Sequence, residues 1–309
     1  MITSVFRKST PLNFSLVVIL ILVFFFAYQI QDISWVNSTF SVVEKVGVLL
    51  VVTASIFITN FITKKNGISK DSSYTILFYL LFFIFFPTLW DSTNLVIANL
   101  FVLLAIRRLI SLHSLKASKE KIFDASLWIF VASLFHFWCI LYLALVFISI
   151  VFHVARDYRN WFLPFIALFA STILFLVFSI LFDINVLDYL DKSVSTSFSI
   201  DYFTNNYQNA ALSIYATIAL FFVISITATF PSKPVITHAT YKKIIASFFI
   251  GVLIFIISPN KSNDLLVFTI APLAIMATNH IEIPQLKLKQ ELVLAVLLLC
   301  SVIMFFSQL

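Results

Sequence analysis

Asp32 and Asp91 are the residues of this chain best placed to do chemistry. Each follows a long apolar run directly, LVVILILVFFFAYQIQD for the first and FYLLFFIFFPTLWD for the second, so a helix end would hold it rigidly. A carboxylate in that position can accept a proton from an attacking hydroxyl or amine, or ligate Mg²⁺. His136, central in FDASLWIFVASLFHFWCILYLALV, can exchange protons in the same way. Lys261 is the sole cation of the turn SPNKSND and suits a phosphate or pyrophosphate. Each has a plainer role to set beside this: an acid in a hydrated loop, a histidine hydrogen-bonded at a boundary, a lysine that keeps a turn in water.

The elements that must position these groups follow from composition. Of the 309 residues, 61% are hydrophobic and only 11% charged, and mean hydropathy is +1.05. That describes an integral membrane protein, read here as one membrane domain over 1–309. Only helices or closed barrels satisfy the backbone inside lipid, and runs this apolar specify helices, so the fold class is all-α, a polytopic transmembrane helical bundle. The net charge of +6 would suggest a nucleic-acid partner in a soluble protein. Here the basic residues gather in loops that retain positive charge on the cytoplasmic side, and the expected partner is membrane lipid, with no nucleic acid. Cys139 and Cys300 both fall in predicted spans, which supports neither a disulfide framework nor a cysteine metal site. The opening MITSVFRKSTPLNF precedes a long apolar run with no small-residue cleavage site and reads as a retained first span.

Topology turns on 123–152, which is about 30 residues long where one tilted helix needs about 20. A hairpin folded back at His136 places 17 of the 20 basic residues inside, whereas a single overlong helix leaves 12 inside. The hairpin, over 122–154, gives about eleven membrane segments with the N-terminus cytoplasmic, in a bacterial inner membrane. Segments are expected near 12–28, 46–63, 74–86, 95–106, the two arms of the hairpin, 162–182, 210–230, 244–257, 265–278 and 292–306. The inner connection RRLISLHSLKASKEK fits an amphipathic helix lying on the membrane, with Leu109, Ile110, Leu112 and Leu115 toward lipid. Trp35, Trp90, Trp138 and Trp161 fall near span ends and fit an aromatic belt. The longest outer loop, 183–209, carries Asp183, Asp188, Asp191 and Asp201 with Tyr189, Tyr202 and Tyr207. Three glycines among 37 phenylalanines point to aromatic packing instead of general GxxxG contacts. The spans lack a chain of buried ionisable groups and the sequence lacks a clear inverted repeat, which argues against an ion-coupled transporter.

Two stretches carry a resemblance. FDASLWIFVASLFHFWCILYLALV after a basic inner loop looks like the paired short helices of GT-C-fold glycosyltransferases, which use polyprenyl-phosphate sugars. SPNKSNDLLVFTIAPLAIMAT resembles their outer-turn signature. The resemblance implies Asp32 as the acid that activates the acceptor and Lys261 as the contact to the lipid phosphate. Donor binding can shift to the 183–209 loop, where Asp188 and Tyr189 join His136 as candidate substrate-binding residues, and Mg²⁺ is the only cofactor in view. In such enzymes the first outer loop offers adjacent acids and surface helices, whereas QIQD offers one acid. The whole chain also looks like uncharacterised multi-pass inner-membrane proteins of Bacteroidota in its Lys, Asn, Ile and Phe bias. Three functions stay open: a GT-C-like transferase or a degenerate relative, a non-catalytic subunit that binds a membrane protein partner in an envelope assembly, and a transporter or lipid flippase.

Overall fold

With no water to serve the peptide groups, each apolar stretch must close its hydrogen bonds internally, and it does so as a helix. The computed structural model describes residues 2–183, 185–196, 198, 205–259 and 261–309; Asp201 and Tyr202 lie outside the described residues. The helices are α1 (Ile2–Phe6), α2 (Pro11–Gln29), α3 (Thr39–Lys65), α4 (Tyr74–Phe83), α5 (Thr93–Ile110), α6 (Ser118–Phe135) and α7 (Leu143–His153). They continue with α8 (Arg159–Leu181), α9 (Val186–Ser193), α10 (Asn206–Thr229), α11 (Val235–Ile257), α12 (Val267–Glu282) and α13 (Lys287–Ser307). Among the described residues, and setting aside α1 and α9, eleven helices follow the expected segments in order. Among the described residues, eight stretches are long and apolar enough to cross a membrane, while α4 and the 137–153 stretch are shorter apolar helices. α6 carries Lys119, Glu120, Lys121 and Asp124 in its first two turns before its apolar part begins.

Hydrogen bonds between helix ends define two faces. At one, the Ser73 amide donates to the Phe6 carbonyl at 2.9 Å, Lys64 pairs with Asp71 at 3.2 Å, and the Lys70 amide donates to Glu282 at 2.8 Å. We call this the basic end. At the other, Tyr28 reaches Asp91, Thr93 reaches Glu44, and the Gln308 side chain donates to the Phe85 carbonyl at 2.9 Å. This is the acidic end. The hairpin is resolved by α11, which spans both. His136 lies 3.1 Å from the Ser258 hydroxyl just beyond the C-terminus of α11, whereas His153 lies 3.1 Å from Lys243 in its first half. Residues 123–152 therefore make two passes.

The core sits on α4 and α12. All ten residues of α4 are buried, and so is nearly all of α12. Phe78, Phe82 and Phe222 pack on one another with centroids 6.2–6.3 Å apart, and Tyr215 stands edge-on to Phe86 at 5.0 Å. This is the aromatic packing the phenylalanine content predicts. Buried hydroxyls join the helices, as Tyr215 does with Thr269 at 2.7 Å. The Tyr142 hydroxyl lies 3.2 Å from both the Ser247 and Phe268 carbonyls, bridging α11 to α12. The single close backbone approach at a glycine is on this seam: a Cβ on Gly251 would meet the Phe268 backbone at 3.1 Å. Around this core α2, α8 and α13 expose Ile19, Phe26, Phe165, Phe169, Leu176, Leu299 and Ile303, an apolar exterior suited to lipid.

Three expectations are corrected. The 107–121 connection is not an amphipathic helix on the membrane surface, because α5 runs on to Ile110 and Leu109, Ile110 and Leu112 are buried; Leu115 alone of the four is exposed. Trp90 is not in an interfacial belt. It is fully buried, edge-on to Phe83 at 4.9 Å and Phe25 at 5.2 Å. The span expected at 244–257 begins earlier, at Val235, so that Lys243, just ahead of the expected start, lies within α11 with its side chain buried and donating to the Leu109 carbonyl at 2.6 Å.

Candidate functional site

Asp32 and Asp91, 59 positions apart in the sequence, line one small cavity of about 170 Å³ at the acidic end. Its walls are the C-terminus of α2 (Tyr28, Gln29), the turn that follows (Gln31, Asp32, Trp35) and Lys45 near the start of α3. Each part has a local cause. Asp32 is extended and caps the 3₁₀ turn Ile33–Asn37, its carboxylate accepting the Ser34 amide at 2.9 Å. Trp35 folds back and donates its indole N–H to the Gln29 carbonyl at 3.4 Å. Asp91 ends the buried 3₁₀ turn Pro87–Trp90 that brings the chain from α4 to α5.

The electrostatics divide the two acids. Asp91 has both oxygens engaged, one by the Tyr28 hydroxyl at 2.7 Å and the other by Lys45. Asp32 keeps its carboxyl below the usual range, first through hydrogen bonds from Ser34 and to a smaller degree through Lys45. It is thus ionised and open to solvent. Gln29 is 95% buried, and its side-chain nitrogen finds no hydrogen-bond partner among the described residues. An unpaired buried donor on a cavity wall is costly and favours an acceptor oxygen in that space. The set can therefore orient an oxygen-bearing group, neutralise part of its charge with Lys45, and take a proton at Asp32. A divalent cation here would be held by Asp32, and by Asp91 only in exchange for its Lys45 contact. Among the described residues no group of three or more acidic, His or Cys side chains forms a fuller metal site.

The remaining predicted residues lie elsewhere. Lys261 does not line this cavity. Three residues further on, Asp264 is buried and its carboxylate is held by the Thr88 hydroxyl and, at 2.7 Å, by Ser92. His136 is half-buried, stacked on Phe268 at 5.7 Å and bonded to Ser258. Tyr189 donates its hydroxyl to the Leu134 carbonyl and rests on Phe175 at 5.4 Å, fastening α9 to the hairpin tip. Asp188 is exposed on α9. The structure thus brings Asp32 and Asp91 together, gathers His136 and Tyr189 near the hairpin tip, and does not join the two groups in one cavity.

A model of a family described as a family of unknown function, DUF6427, matches residues 6–309. The chain belongs to the DUF6427 family. No curated protein and no solved structure matches this DUF6427 chain. Sequence reasoning missed Tyr28, Gln29 and Lys45 as wall residues of the cavity. Lys45 carried a signal, since it is one of only three basic residues expected on that side. Gln29 carried none, because burial at a helix end is not written in residue type.

Proposed function

We propose that this membrane protein is a GT-C-like transferase, or a degenerate relative, that acts on a lipid-linked sugar at the acidic end, with Asp32 as its base. The observation that carries the reading is the meeting of Asp32, Asp91, Lys45 and the unpaired Gln29 donor around one cavity at a helix end. In the proposed reaction an acceptor hydroxyl attacks the anomeric carbon of a polyprenyl-phosphate sugar. The carbon–oxygen bond to phosphate breaks, polyprenyl phosphate leaves with the electron pair, and Asp32 takes the hydroxyl proton. Lys45 and Gln29 hold oxygens of the donor, Asp91 holds Lys45 in place, and Lys261 with the hairpin-tip residues His136, Asp188 and Tyr189 receives the polyprenyl-phosphate end. If Mg²⁺ takes part, Asp32 and Asp91 hold it, Asp91 exchanging its Lys45 contact for the ion. The basic end faces the cytoplasm and the acidic end the outer side of a bacterial cytoplasmic membrane, which the concentration of Lys and Arg at the basic end supports.

The test is turnover of radiolabelled polyprenyl-phosphate hexose by membranes containing the protein. Wild-type membranes should release polyprenyl phosphate above the level of membranes without it. Asp32→Asn should lose that increment while inserting and purifying normally. Equal release from wild-type and Asp32→Asn membranes would overturn the reading.

A second reading, a non-catalytic subunit of an envelope assembly with a membrane protein partner, is favoured by one observation. Asp91 is fully occupied by Tyr28 and Lys45, and Lys261 stands off the cavity, as suits polar groups that hold a surface in shape. Stoichiometric co-purification of one membrane protein, lost when acidic-end loops are altered, would select it.

A further inference from the structure

A second polar cavity, of about 360 Å³, opens at the basic end between the C-terminal parts of α3 and α5 and the start of α6. Among the described residues five cations stand on its wall, Lys65, Arg107, Arg108, Lys116 and Lys121, and no carboxylate does. Among the described residues the one carboxylate that reaches any of them is Asp124, 2.8 Å from Arg108 and off the cavity wall. Lys65, Arg107, Lys116 and Lys121 have no carboxylate partner at ion-pair distance among the described residues.

The cations are held, not merely crowded. Lys121 donates to the Ser111 carbonyl at 2.7 Å and the Ser114 hydroxyl at 2.8 Å. Lys65 and Arg107 both lie over the Phe61 ring, 5.0 and 4.8 Å from its centroid. His113 has its Nδ1 3.0 Å from the Ile110 carbonyl, so that nitrogen carries the proton and Nε2 is left over. Lys121 is pushed to a lower pKa by partial burial first and then by Arg108, Lys65 and Lys116. Five positive charges of which only Arg108 has a counter-charge are the arrangement that a multiply hydrogen-bonding anion relieves.

The surroundings say where the anion comes from. Leu50, Phe57 and Phe61 of α3, seven and four residues apart, share one face and are all exposed. That apolar stripe climbs from the membrane-facing wall of the protein to the cavity, which Phe61 itself lines. We propose that this cavity binds a phosphate group, and that its source is the headgroup of an anionic phospholipid whose acyl chains lie along the α3 stripe. The site is independent of the acidic-end chemistry, from which the length of the bundle separates it.

The test uses the full chain in nanodiscs of phosphatidylcholine doped with phosphatidylglycerol, with retained lipid counted by native mass spectrometry. Wild type should retain phosphatidylglycerol over phosphatidylcholine. Lys65→Gln/Lys116→Gln, two residues with no hydrogen-bonded structural role, should weaken that retention roughly thirtyfold. Arg107→Gln should weaken it separately, while Lys287→Gln/Lys289→Gln elsewhere at the basic end should not. Equal losses in the cavity and control variants would overturn the site. Displacement of the lipid by inorganic phosphate at comparable affinity would uphold the phosphate site and overturn the lipid as its source.

Discussion

Replacing Gly251 by alanine sets two opposing effects against each other, and the geometry decides between them. Alanine in a helix interior gains about 1 kcal/mol over glycine by propensity. The new methyl would however meet the Thr269 Cγ2 at 2.9 Å and the Phe268 carbonyl carbon and oxygen at 3.1 Å. Two of those three atoms are backbone, so relief requires α12 to move away from α11 as a whole. Overpacking of this kind costs about 1–3 kcal/mol. The same movement stretches the Tyr142 bridge between the two helices, already 3.2 Å to each carbonyl, at a further cost of about 1 kcal/mol. The sum is a net loss of about 1–3 kcal/mol from the three terms together. Gly47, in α3, has nothing within 4 Å of a new Cβ, so the same chemical change there should stabilise by about 0.5–1 kcal/mol. Both variants would be unfolded reversibly in mixed micelles by added denaturing detergent, with helicity as the signal. Thr269→Ser added to Gly251→Ala should recover less than half of the loss, because it removes only the methyl contact and keeps the hydroxyl that meets Tyr215. A Gly251→Ala midpoint at or above wild type would refute the close-packed seam between α11 and α12.

Thr88→Val removes a hydroxyl donor from the buried Asp264 carboxylate and should cost about 1–3 kcal/mol in the same assay; an unchanged midpoint would mean that Asp264 is hydrated. The Asp32 cap has a pH dependence of fixed sign. Its carboxyl is held below the usual value, so the cap is fully present above the ordinary carboxylate range and is lost as pH falls through the lowered value. Hydrogen exchange at the Ser34 amide, corrected for its intrinsic rate, should stay slow down to the ordinary range and rise only below it. An earlier rise would contradict the capping role. The hairpin predicts that Ser114→Cys and Asp183→Cys, both exposed positions, react with an impermeant maleimide from opposite faces of sealed vesicles. Labelling of both from one face would restore the single long helix.

The bundle was legible because lipid imposes a coarse code. Apolar runs of span length marked the long helices, and the distribution of Lys and Arg separated two passes from one at 123–152. What failed were judgments about side within the protein. Leu109, Ile110 and Leu112 look like a lipid-facing stripe, yet in a multi-layered bundle an apolar face packs equally well on neighbouring helices, and α5 simply continues through them. Trp90 has the residue type of an interface and the location of a core, because the turn that carries it is roofed by its neighbours. At the candidate site the two acids were visible by their distance from span ends. The Tyr28 and Lys45 contacts that occupy Asp91 were not, since they depend on how α2 and α3 lean together, which no local pattern encodes.

The ten residues of α4 reach about 15 Å along a helix axis, half the thickness of a bilayer's hydrocarbon layer. Every one of them is covered by protein. A helix so placed cannot settle in lipid by its own hydrophobicity, and one of the partners that covers it is α12, where the Thr278 hydroxyl meets that of Thr75 across 203 positions of chain. At about 5–20 residues per second, that interval takes the ribosome roughly 10–40 s to traverse. The nascent chain must therefore shelter its own centre until the closing helices arrive, either in the insertion machinery or among α2, α3 and α5. Biogenesis of this protein is in that sense a waiting problem, with the core written first and its lid last.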